Sequence, residues 1–335
     1  MKTCKLFLTL LLIALTLTTC KKKDDDTVTP ASKCSDGIQN QGETGVDCGG
    51  PCSPCFIPQN IWTQKATNGV AKTFVLGFVI GSKIYIGGGC TESGSSTSKF
   101  EEYDPSTDKW TTKVAMPENR YSGFAFTIGT KGYVTAGDNY GGSPIRSTYE
   151  YDPATDIWTR KADFPPITKT SRVFGFSIAS LNKAYAQRGT EFYEYNPATD
   201  KWTQKANLSN PKYGTGFSIG SKGYIGNSSG LNEYDPTSDT WTPKANNSAA
   251  TPLYYYNTGI GFSIGNKAYL GTGNGATEMI AEFWEWDQAS DIWTRKADFM
   301  GGPTGQAIGL GTGLKGYVGF GAANGTKQNT WYEFK

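Results

Sequence analysis

Histidine is absent from the 335 residues of this chain. A catalytic triad with a His general base is therefore excluded, and transition-metal sites are disfavoured because most of them rely on imidazole ligands. Charge of one sign is not in excess either, since 32 Lys and Arg residues accompany 30 Asp and Glu residues. This balance provides no basic footprint for a phosphate backbone. We therefore expect no nucleic-acid partner, no metal and no cofactor.

Long hydrophobic runs are equally scarce, and the single one, Leu6–Leu17, follows two lysines near the N-terminus. It is too short for a membrane-spanning helix and has the form of a secretory signal. The sequence Leu-Thr-Thr-Cys that ends at Cys20 resembles the lipobox of bacterial lipoproteins, although a residue smaller than Thr19 is usual there. The resemblance implies a lipoprotein signal peptide over residues 1–19 and a lipid anchor at Cys20. An ordinary cleaved signal is the alternative.

Residues 20–33 are predicted to be a flexible, disordered tether. Three Lys and three Asp residues follow Cys20, and this run resembles the charged tethers that route lipoproteins to the cell surface in some bacteria with two membranes. A plain solvated spacer is the alternative interpretation. A lipid on Cys20 would be the only attachment to the membrane. We therefore expect the protein outside the cytoplasm, at the outer membrane or the cell surface.

Four cysteines lie within the short segment 34–55, namely Cys34, Cys48, Cys52 and Cys55. An even number outside the cytoplasm favours two disulfides, for which three pairings are open. A four-thiolate zinc site is the alternative, because the last two cysteines form a Cys-x-x-Cys pair. Calcium binding by the acidic residues between them matches no loop template. The segment resembles a small Cys-rich spacer of bacterial surface proteins, and Cys90 is left as a free thiol.

Aromatic residues, by contrast, are frequent and recur in a fixed setting. Six segments similar to Glu102–Thr111 occur, and their Trp residues are 48, 48, 44, 39 and 52 positions apart. These residues are Trp62, Trp110, Trp158, Trp202, Trp241 and Trp293. A repeat of roughly 40 to 50 residues indicates propeller blades or a solenoid. In the turn before each Trp, Pro presets φ and Asp or Thr oxygens bond to nearby amides, so we interpret the turn as scaffold.

Each repeat supplies four strands. In the second unit, period-2 alternation with β-branched and aromatic residues predicts them at 123–128, 131–136, 147–152 and 158–162. The Gly-rich end of the second strand, clearest at Gly87–Gly89, the Tyr of the third and the Trp of the fourth resemble the Kelch β-propeller family. The glycines are degenerate in the third and fourth units. The resemblance covers residues 60–335 and implies an all-β, six-bladed Kelch-type β-propeller.

The two ends of the repeat region predict how the ring closes. Residues 61–66 have the pattern of a fourth strand with no blade before it, and residues 330–334 have that of a third strand with no fourth strand after it. We therefore expect the N-terminal strand to complete the last blade. A ring closed in this way leaves no free end strand.

Candidate ligand-binding residues lie in the loops that join the second strand to the third and the fourth strand to the next blade. In a four-stranded meander both sets share one face, around the mouth of the central channel, where binding loops are expected. Arg beside Tyr suits an acidic sugar or peptide, because Arg offers a fork of donors and Tyr a flat ring with a hydroxyl. A basic residue that only braces the loops is the alternative. The candidates are Arg120, Tyr121, Arg172, Lys212, Tyr213 and Tyr255, with the carboxylates Glu118 and Glu278, and Glu92 and Asp138 on the same rim.

Three functions from different classes remain open. The first is a surface-anchored binding module for a glycan or a protein. The second is a sialate mutarotase, an activity of some periplasmic six-bladed Kelch proteins, with Glu118 or Glu278 as acid and base and Arg120 or Arg172 holding the substrate carboxylate. The third is a scaffold for another envelope protein. Kelch-type copper-radical oxidases need His ligands, so their activity is not implied, and we expect binding rather than catalysis.

Overall fold

The computed structural model describes residues 60–139, 141, 144–165, 172–209, 214–227, 230–245, 259–275 and 278–335. The chain divides after Ile57, and the second unit, Pro58–Lys335, contains the propeller. The predicted signal peptide, tether and Cys-rich spacer lie outside the described residues, with Cys20, Cys34, Cys48, Cys52 and Cys55. So do three of the predicted ligand-binding residues, Lys212, Tyr213 and Tyr255.

Strands dominate the described residues. Up to residue 161 they are β1 (Trp62–Lys65), β2 (Lys72–Thr73), β3 (Leu76–Ile80), β4 (Lys83–Gly87), β5 (Cys90–Thr91), β6 (Phe100–Asp104), β7 (Lys109–Thr112), β8 (Phe124–Ile128), β9 (Lys131–Thr135), β10 (Thr148–Asp152) and β11 (Ile157–Lys161). Between residues 174 and 243 they are β12 (Phe174–Ile178), β13 (Lys183–Arg188), β14 (Glu191–Asn196), β15 (Lys201–Lys205), β16 (Gly214–Ile219), β17 (Lys222–Asn227), β18 (Gly230–Asp235) and β19 (Thr240–Pro243). The remainder are β20 (Ile260–Ile264), β21 (Lys267–Gly271), β22 (Phe283–Asp287), β23 (Ile292–Arg295), β24 (Ile308–Gly311), β25 (Gly316–Gly319), β26 (Ala322–Ala323), β27 (Thr326–Lys327) and β28 (Trp331–Phe334).

One 3₁₀ turn, Ala179–Leu181, follows β12. No helix within the described ranges is long and apolar enough to cross a membrane.

The longer strands form six four-stranded antiparallel sheets, which are the blades of a β-propeller. Blades 1 to 5 are built in chain order from β3-β4-β6-β7, β8-β9-β10-β11, β12-β13-β14-β15, β16-β17-β18-β19 and β20-β21-β22-β23. Blade 6 combines β24, β25 and β28 with β1 from the start of the propeller. The predicted all-β, six-bladed architecture is confirmed.

Ring closure depends on β1. This strand pairs antiparallel with β28, so that Trp62 lies opposite Phe334 and Lys65 opposite Trp331. Two further backbone hydrogen bonds join Ile61 and Lys335, with N···O distances of 3.0 and 3.2 Å. The prediction that the N-terminal strand completes the last blade is therefore confirmed.

Neighbouring blades are held together by a clamp that the repeat motif encodes. In blade 3, Asp200 adopts a positive φ of 48° and accepts hydrogen bonds from the Ala162 amide at 2.9 Å and the Tyr195 hydroxyl at 2.8 Å. Two residues later, Trp202 Nε1 donates to the Ala162 carbonyl at 3.3 Å. Both polar groups of one residue in the preceding blade are thus paired, which an interior site requires.

The clamp recurs around the whole ring. Its other acid and Trp pairs hold the first or second residue after the fourth strand of the preceding blade. They are Asp108 and Trp110 on Ala66, Asp156 and Trp158 on Val114, Asp239 and Trp241 on Ala206, and Asp291 and Trp293 on Ala245. In blade 6, Asn60 and Trp62 bind the amide and carbonyl of Ala297 in the same way. The turn motif is scaffold, as predicted, and β1 brings its own clamp to the closure.

The innermost strands line the central channel with small residues. Each contributes one Gly or Ala at the same level, namely Gly77, Ala125, Gly175, Gly216, Gly261 and Gly309. A Cβ on Gly216 would lie 2.2 Å from the Gly175 carbonyl oxygen, so only Gly permits this approach of two inner strands. The resulting channel holds two adjoining cavities of about 220 and 200 Å³.

Candidate functional site

The described parts of both predicted loop sets lie on one face of the propeller, which we call the loop face. Its two sets meet through backbone hydrogen bonds. Tyr121, between blades 1 and 2, and Asp138, after the second strand of blade 2, exchange two such bonds of 3.0 and 2.9 Å. In blade 1 the Gly89 amide donates in a similar way to the Arg120 carbonyl at 2.9 Å. For the described loops of blades 1 and 2, these contacts confirm the prediction that the two sets share a face.

Four side chains form a cluster beside the channel mouth, and we call it the mouth cluster: Phe74, Tyr121, Asp138 and Arg172. The guanidinium of Arg172 lies over the Phe74 ring at 4.4 Å from its centroid, and the Tyr121 ring lies 6.2 Å from the same ring. Phe74, Tyr121 and Arg172 are half-buried. Phe74 is fixed by its backbone, which has a φ of 54° and donates to the Gln306 carbonyl at 3.1 Å.

Asp138 is the buried residue of the mouth cluster. Only 8% of this residue is exposed, and its Oδ1 has no hydrogen-bond partner in the structure as far as it is described. Burial raises the pKa of Asp138, while the positive charge of Arg172 acts in the opposite direction. Burial also raises the pKa of Tyr121, and the charge of Asp138 adds to that effect. A buried carboxylate oxygen without a partner is costly, so a donor that reaches it would stabilise the site.

Arg120 lies apart from this cluster, inside blade 2. Its side chain is fully buried. Nη1 donates to the carbonyls of Ala136 and Ser147 at 3.1 and 3.0 Å, and Nη2 donates to Ser147 Oγ at 2.8 Å and Glu118 Oε2 at 3.1 Å. Burial lowers the pKa of Arg120 to about 10, so the guanidinium stays charged at neutral pH. In this position Arg120 braces the loops and offers no exposed donor to a ligand. A bracing role was the alternative that the sequence left open.

Sequence analysis missed a second buried cation of the same kind. Lys72 is fully buried at the entry to blade 1, and its Nζ lies 3.3 Å from Glu101 Oε2. Burial lowers the pKa of Lys72, although Glu101 opposes this shift. Lys72 and Arg120 each stand four positions before the first residue of an inner strand, Leu76 and Phe124. That shared position was the signal in the sequence that could have identified Lys72 and marked both cations as braces.

Glu118 lies at the surface above Arg120, with 36% of its side chain exposed. It lines an open groove of about 570 Å³ on the loop face, between blades 1 and 2. The groove is lined by Ser96, Pro117, Glu118, Asn119, Asn139, Gly141 and Ile145.

The other predicted carboxylates are not brought to this groove. Glu278 is exposed in blade 5, where its carbonyl accepts from the Gly275 amide at 2.6 Å. Glu92 Oε1 accepts a hydrogen bond from the Lys327 amide at 3.1 Å, which joins the loops of blades 1 and 6. Of the predicted set, Tyr121 and Arg172 therefore meet in the mouth cluster with Asp138, Glu118 lies in the groove, and Glu278 stands apart.

Metal ligands are not assembled in this part of the protein. No group of three or more Cys, Asp or Glu residues with the spacing of a metal site occurs in the described ranges. Cys90 is not in a disulfide, and its Sγ donates to the Gly94 carbonyl at 3.0 Å.

Comparisons with known proteins agree with the fold. A family model for the Kelch motif matches residues 77–117, which span blade 1. Among solved structures, the one described as "Structure of YjhT" superposes with a TM-score of 0.64 at 16% sequence identity, covering 80% of this chain and 96% of that chain. No curated protein matches the sequence significantly. The motif and the six blades together support a Kelch-type β-propeller, and the structural likeness at this identity concerns the fold alone.

Proposed function

We propose that this protein is a binding module whose loop face recognises a glycan or a protein at the mouth cluster. The observation that carries the proposal is the cluster itself, in which half-buried aromatic rings stand beside a buried carboxylate oxygen without a hydrogen-bond partner among the described residues. Aromatic rings supply apolar contact area for a sugar ring or an aliphatic side chain. The carboxylate then orients the ligand by accepting a hydrogen bond.

We also propose that the module is anchored by a lipid on Cys20 at the outer membrane or the cell surface. The signal-like apolar run and the charged tether support this location. Cells that express the chain should incorporate labelled fatty acid into it, and Cys20→Ser should abolish the label. Labelling that survives this substitution would contradict the anchor without affecting the binding proposal.

The binding proposal can be tested with the full chain and a matched pair of variants. Arg172 stacks on Phe74 at 4.4 Å, and Arg295 stacks on Trp284 in blade 5 at 5.5 Å. Ligands are first sought on an oligosaccharide array and in extracts of the cell envelope, and their footprint is mapped by hydrogen exchange. Binding should weaken at least about fivefold in Arg172→Ala, since a hydrogen bond from the guanidinium to the ligand, worth about 1 kcal/mol, is lost. Arg295→Ala should bind as the wild type does.

A footprint away from the loop face would contradict the proposal, as would equal affinities of the two variants. Recovery of a stoichiometric envelope protein with no effect of Arg172→Ala would instead favour the scaffold function.

A sialate mutarotase is the second candidate, and one observation favours it. Asp138 combines a raised pKa with the nearby charge of Arg172, which is the pairing of an acid or base with a holder for a substrate carboxylate. Arg120 cannot serve as that holder where it lies buried. NMR of sialic acid should then show faster anomer exchange with the wild type than with Asp138→Asn. Equal exchange rates with and without protein would exclude this activity.

A further inference from the structure

The groove between blades 1 and 2 is distinct from the mouth cluster. Its volume of about 570 Å³ lies within the range of roughly 300 to 1,000 Å³ that is usual for ligand sites. Ser96 comes from blade 1, Pro117 to Asn119 from the connecting loop, and Asn139 and Ile145 from blade 2. The lining thus mixes amide and hydroxyl groups with two apolar side chains, a composition that suits a ring with hydroxyl groups on its edge.

Glu118 is held in place at this groove by three hydrogen bonds. Its Oε2 accepts hydrogen bonds from Arg120 Nη2 at 3.1 Å and from Ser147 Oγ at 2.5 Å. Its Oε1 accepts from the Tyr149 hydroxyl at 3.1 Å. A carboxylate has about four acceptor positions, so one position on Oε1 remains. Because 36% of the side chain is exposed, that position can be reached from the groove.

Two guanidinium groups lie near Glu118, one of them buried and one exposed. Arg120 is fully buried, and Tyr149 separates it from Arg160, with the two guanidinium carbons 5.7 and 5.3 Å from the ring centroid. Arg160 in turn pairs with Asp163 at 2.5 Å. The described lining of the groove contains no Lys or Arg. Among the described lining residues, the charged group that faces a ligand is therefore the Glu118 carboxylate, which is paired with Arg120 on Oε2 and can accept a hydrogen bond on Oε1.

A second acceptor lies next to the groove. Asp138 precedes the lining residue Asn139, and its Oδ1 is the buried oxygen that has no partner within the described ranges. Glu118 Oε1 therefore has one open acceptor position, and Asp138 Oδ1 beside the groove is a buried acceptor without a partner in the described part of the chain. This is opposite to the acidic ligand that an exposed Arg120 would have suited.

We propose that the groove is a saccharide subsite that takes an uncharged or amino sugar, one of whose hydroxyl or ammonium groups donates to Glu118 Oε1. The inference rests on the proposed binding function and names its ligand class. Asn119, which is exposed beside Glu118, supplies a further amide to the sugar edge.

The full chain is assayed against three oligosaccharide probes of the same length: hexamers of N-acetylglucosamine, of glucosamine, and of hyaluronan, which is acidic. The first or the second should bind tightest, and hyaluronan at least about tenfold more weakly, because its carboxylates would lie against the carboxylate of Glu118. In Glu118→Gln, the amide oxygen must face Arg120, so its NH₂ group replaces the acceptor in the groove. Binding should weaken about tenfold or more, the effect of losing a hydrogen bond to a charged group.

Glu191 provides the matched control. It is 40% exposed on the loop face and pairs with Arg188, much as Glu118 pairs with Arg120. Glu191→Gln should therefore leave the affinity unchanged. If Glu118→Gln fails to fold, Asn119→Ala replaces it, because this exposed residue can be truncated without cost to the fold, and a loss of about threefold or more is expected.

Tightest binding of hyaluronan, or equal affinity of wild type, Glu118→Gln and Asn119→Ala, would overturn the subsite while leaving the mouth cluster in place. No binding of any of the three probes would also overturn it. Arg172→Ala separates the two proposals, because it tests the mouth cluster and leaves Glu118 untouched.

Discussion

Truncation of Trp62 tests whether the closing strand β1 stabilises the ring as strongly as the Asp and Trp clamps of blades 1 to 5 do. The indole of Trp62 packs against Phe283, Phe299 and Phe334, with ring centroids 4.9, 5.0 and 4.7 Å apart. Its Nε1 donates to the Ala297 carbonyl at 3.2 Å. Trp62→Ala therefore removes an aromatic cluster and a hydrogen bond between blades 5 and 6.

The expected cost follows from these contacts. Truncation of a buried Trp costs about 3 to 5 kcal/mol, and the half-buried position of Trp62 places it near the lower end. A loss of about 3 kcal/mol lowers the melting temperature of a domain of this size by about 6 to 12 °C. Because each blade depends on its neighbours, the variant should still unfold in one transition. Scanning calorimetry measures both the midpoint and the number of transitions.

Two comparisons make the experiment decisive. Trp202→Ala removes the equivalent clamp in blade 3, where the indole packs on Phe164 with centroids 5.0 Å apart, and it should cost the same within about 1 kcal/mol. Ile61→Ala changes the neighbouring residue, whose side chain is 42% exposed, and should cost less than about 0.5 kcal/mol. If Trp62→Ala melts with the wild type while Trp202→Ala does not, the closure contributes little and the reasoning is wrong.

Asp200→Ala should lower the free energy of unfolding by about 2 kcal/mol, because two hydrogen bonds to its carboxylate are lost; an unchanged urea midpoint would contradict the clamp. Gly216→Ala should cost about 1 to 3 kcal/mol from the 2.2 Å approach to Gly175, whereas Gly220→Asn, at a φ of 59° in open space, should be nearly neutral in the same titration. For Glu333, burial raises the pKa, but hydrogen bonds from Tyr317 and Lys315 outweigh it and hold the pKa below 4.5. The ionised Glu333 therefore stabilises the fold above pH 4.5, and this stabilisation is lost as the pH falls below that value. Glu333→Gln should flatten the acid side of a plot of melting temperature against pH. A plot that matches the wild type would refute this.

Much of the fold could be predicted from the sequence because each blade is a local unit. Asp200 and Trp202 belong to one turn motif, and both the turn and the clamp follow from residues two positions apart. The position of Arg120 depended instead on partners that lie farther along the chain, the carbonyls of Ala136 and Ser147. Whether a loop cation points outward or inward is decided by such partners, and neither carbonyl is visible in a residue pattern. Phe74 was missed for a similar reason, since its φ of 54° turns it out of an apolar strand pattern.

The burial of two cations links the scaffold to the ligand that the loop face can accept. Lys72 and Arg120 are buried inside blades 1 and 2, where Lys72 pairs with a carboxylate and Arg120 donates to carbonyl, hydroxyl and carboxylate oxygens. A buried cation of this kind needs a fixed anion, and for Arg120 that anion is Glu118, which reaches from the brace to the surface. Arg120 therefore holds the Glu118 carboxylate in place at the groove. The arginine that stabilises the loop thus also orients the carboxylate that a ligand would contact. Repeated positions in this propeller hold the ring together, while Arg120 and Glu118, which are not repeated in every blade, link the scaffold to the groove between blades 1 and 2.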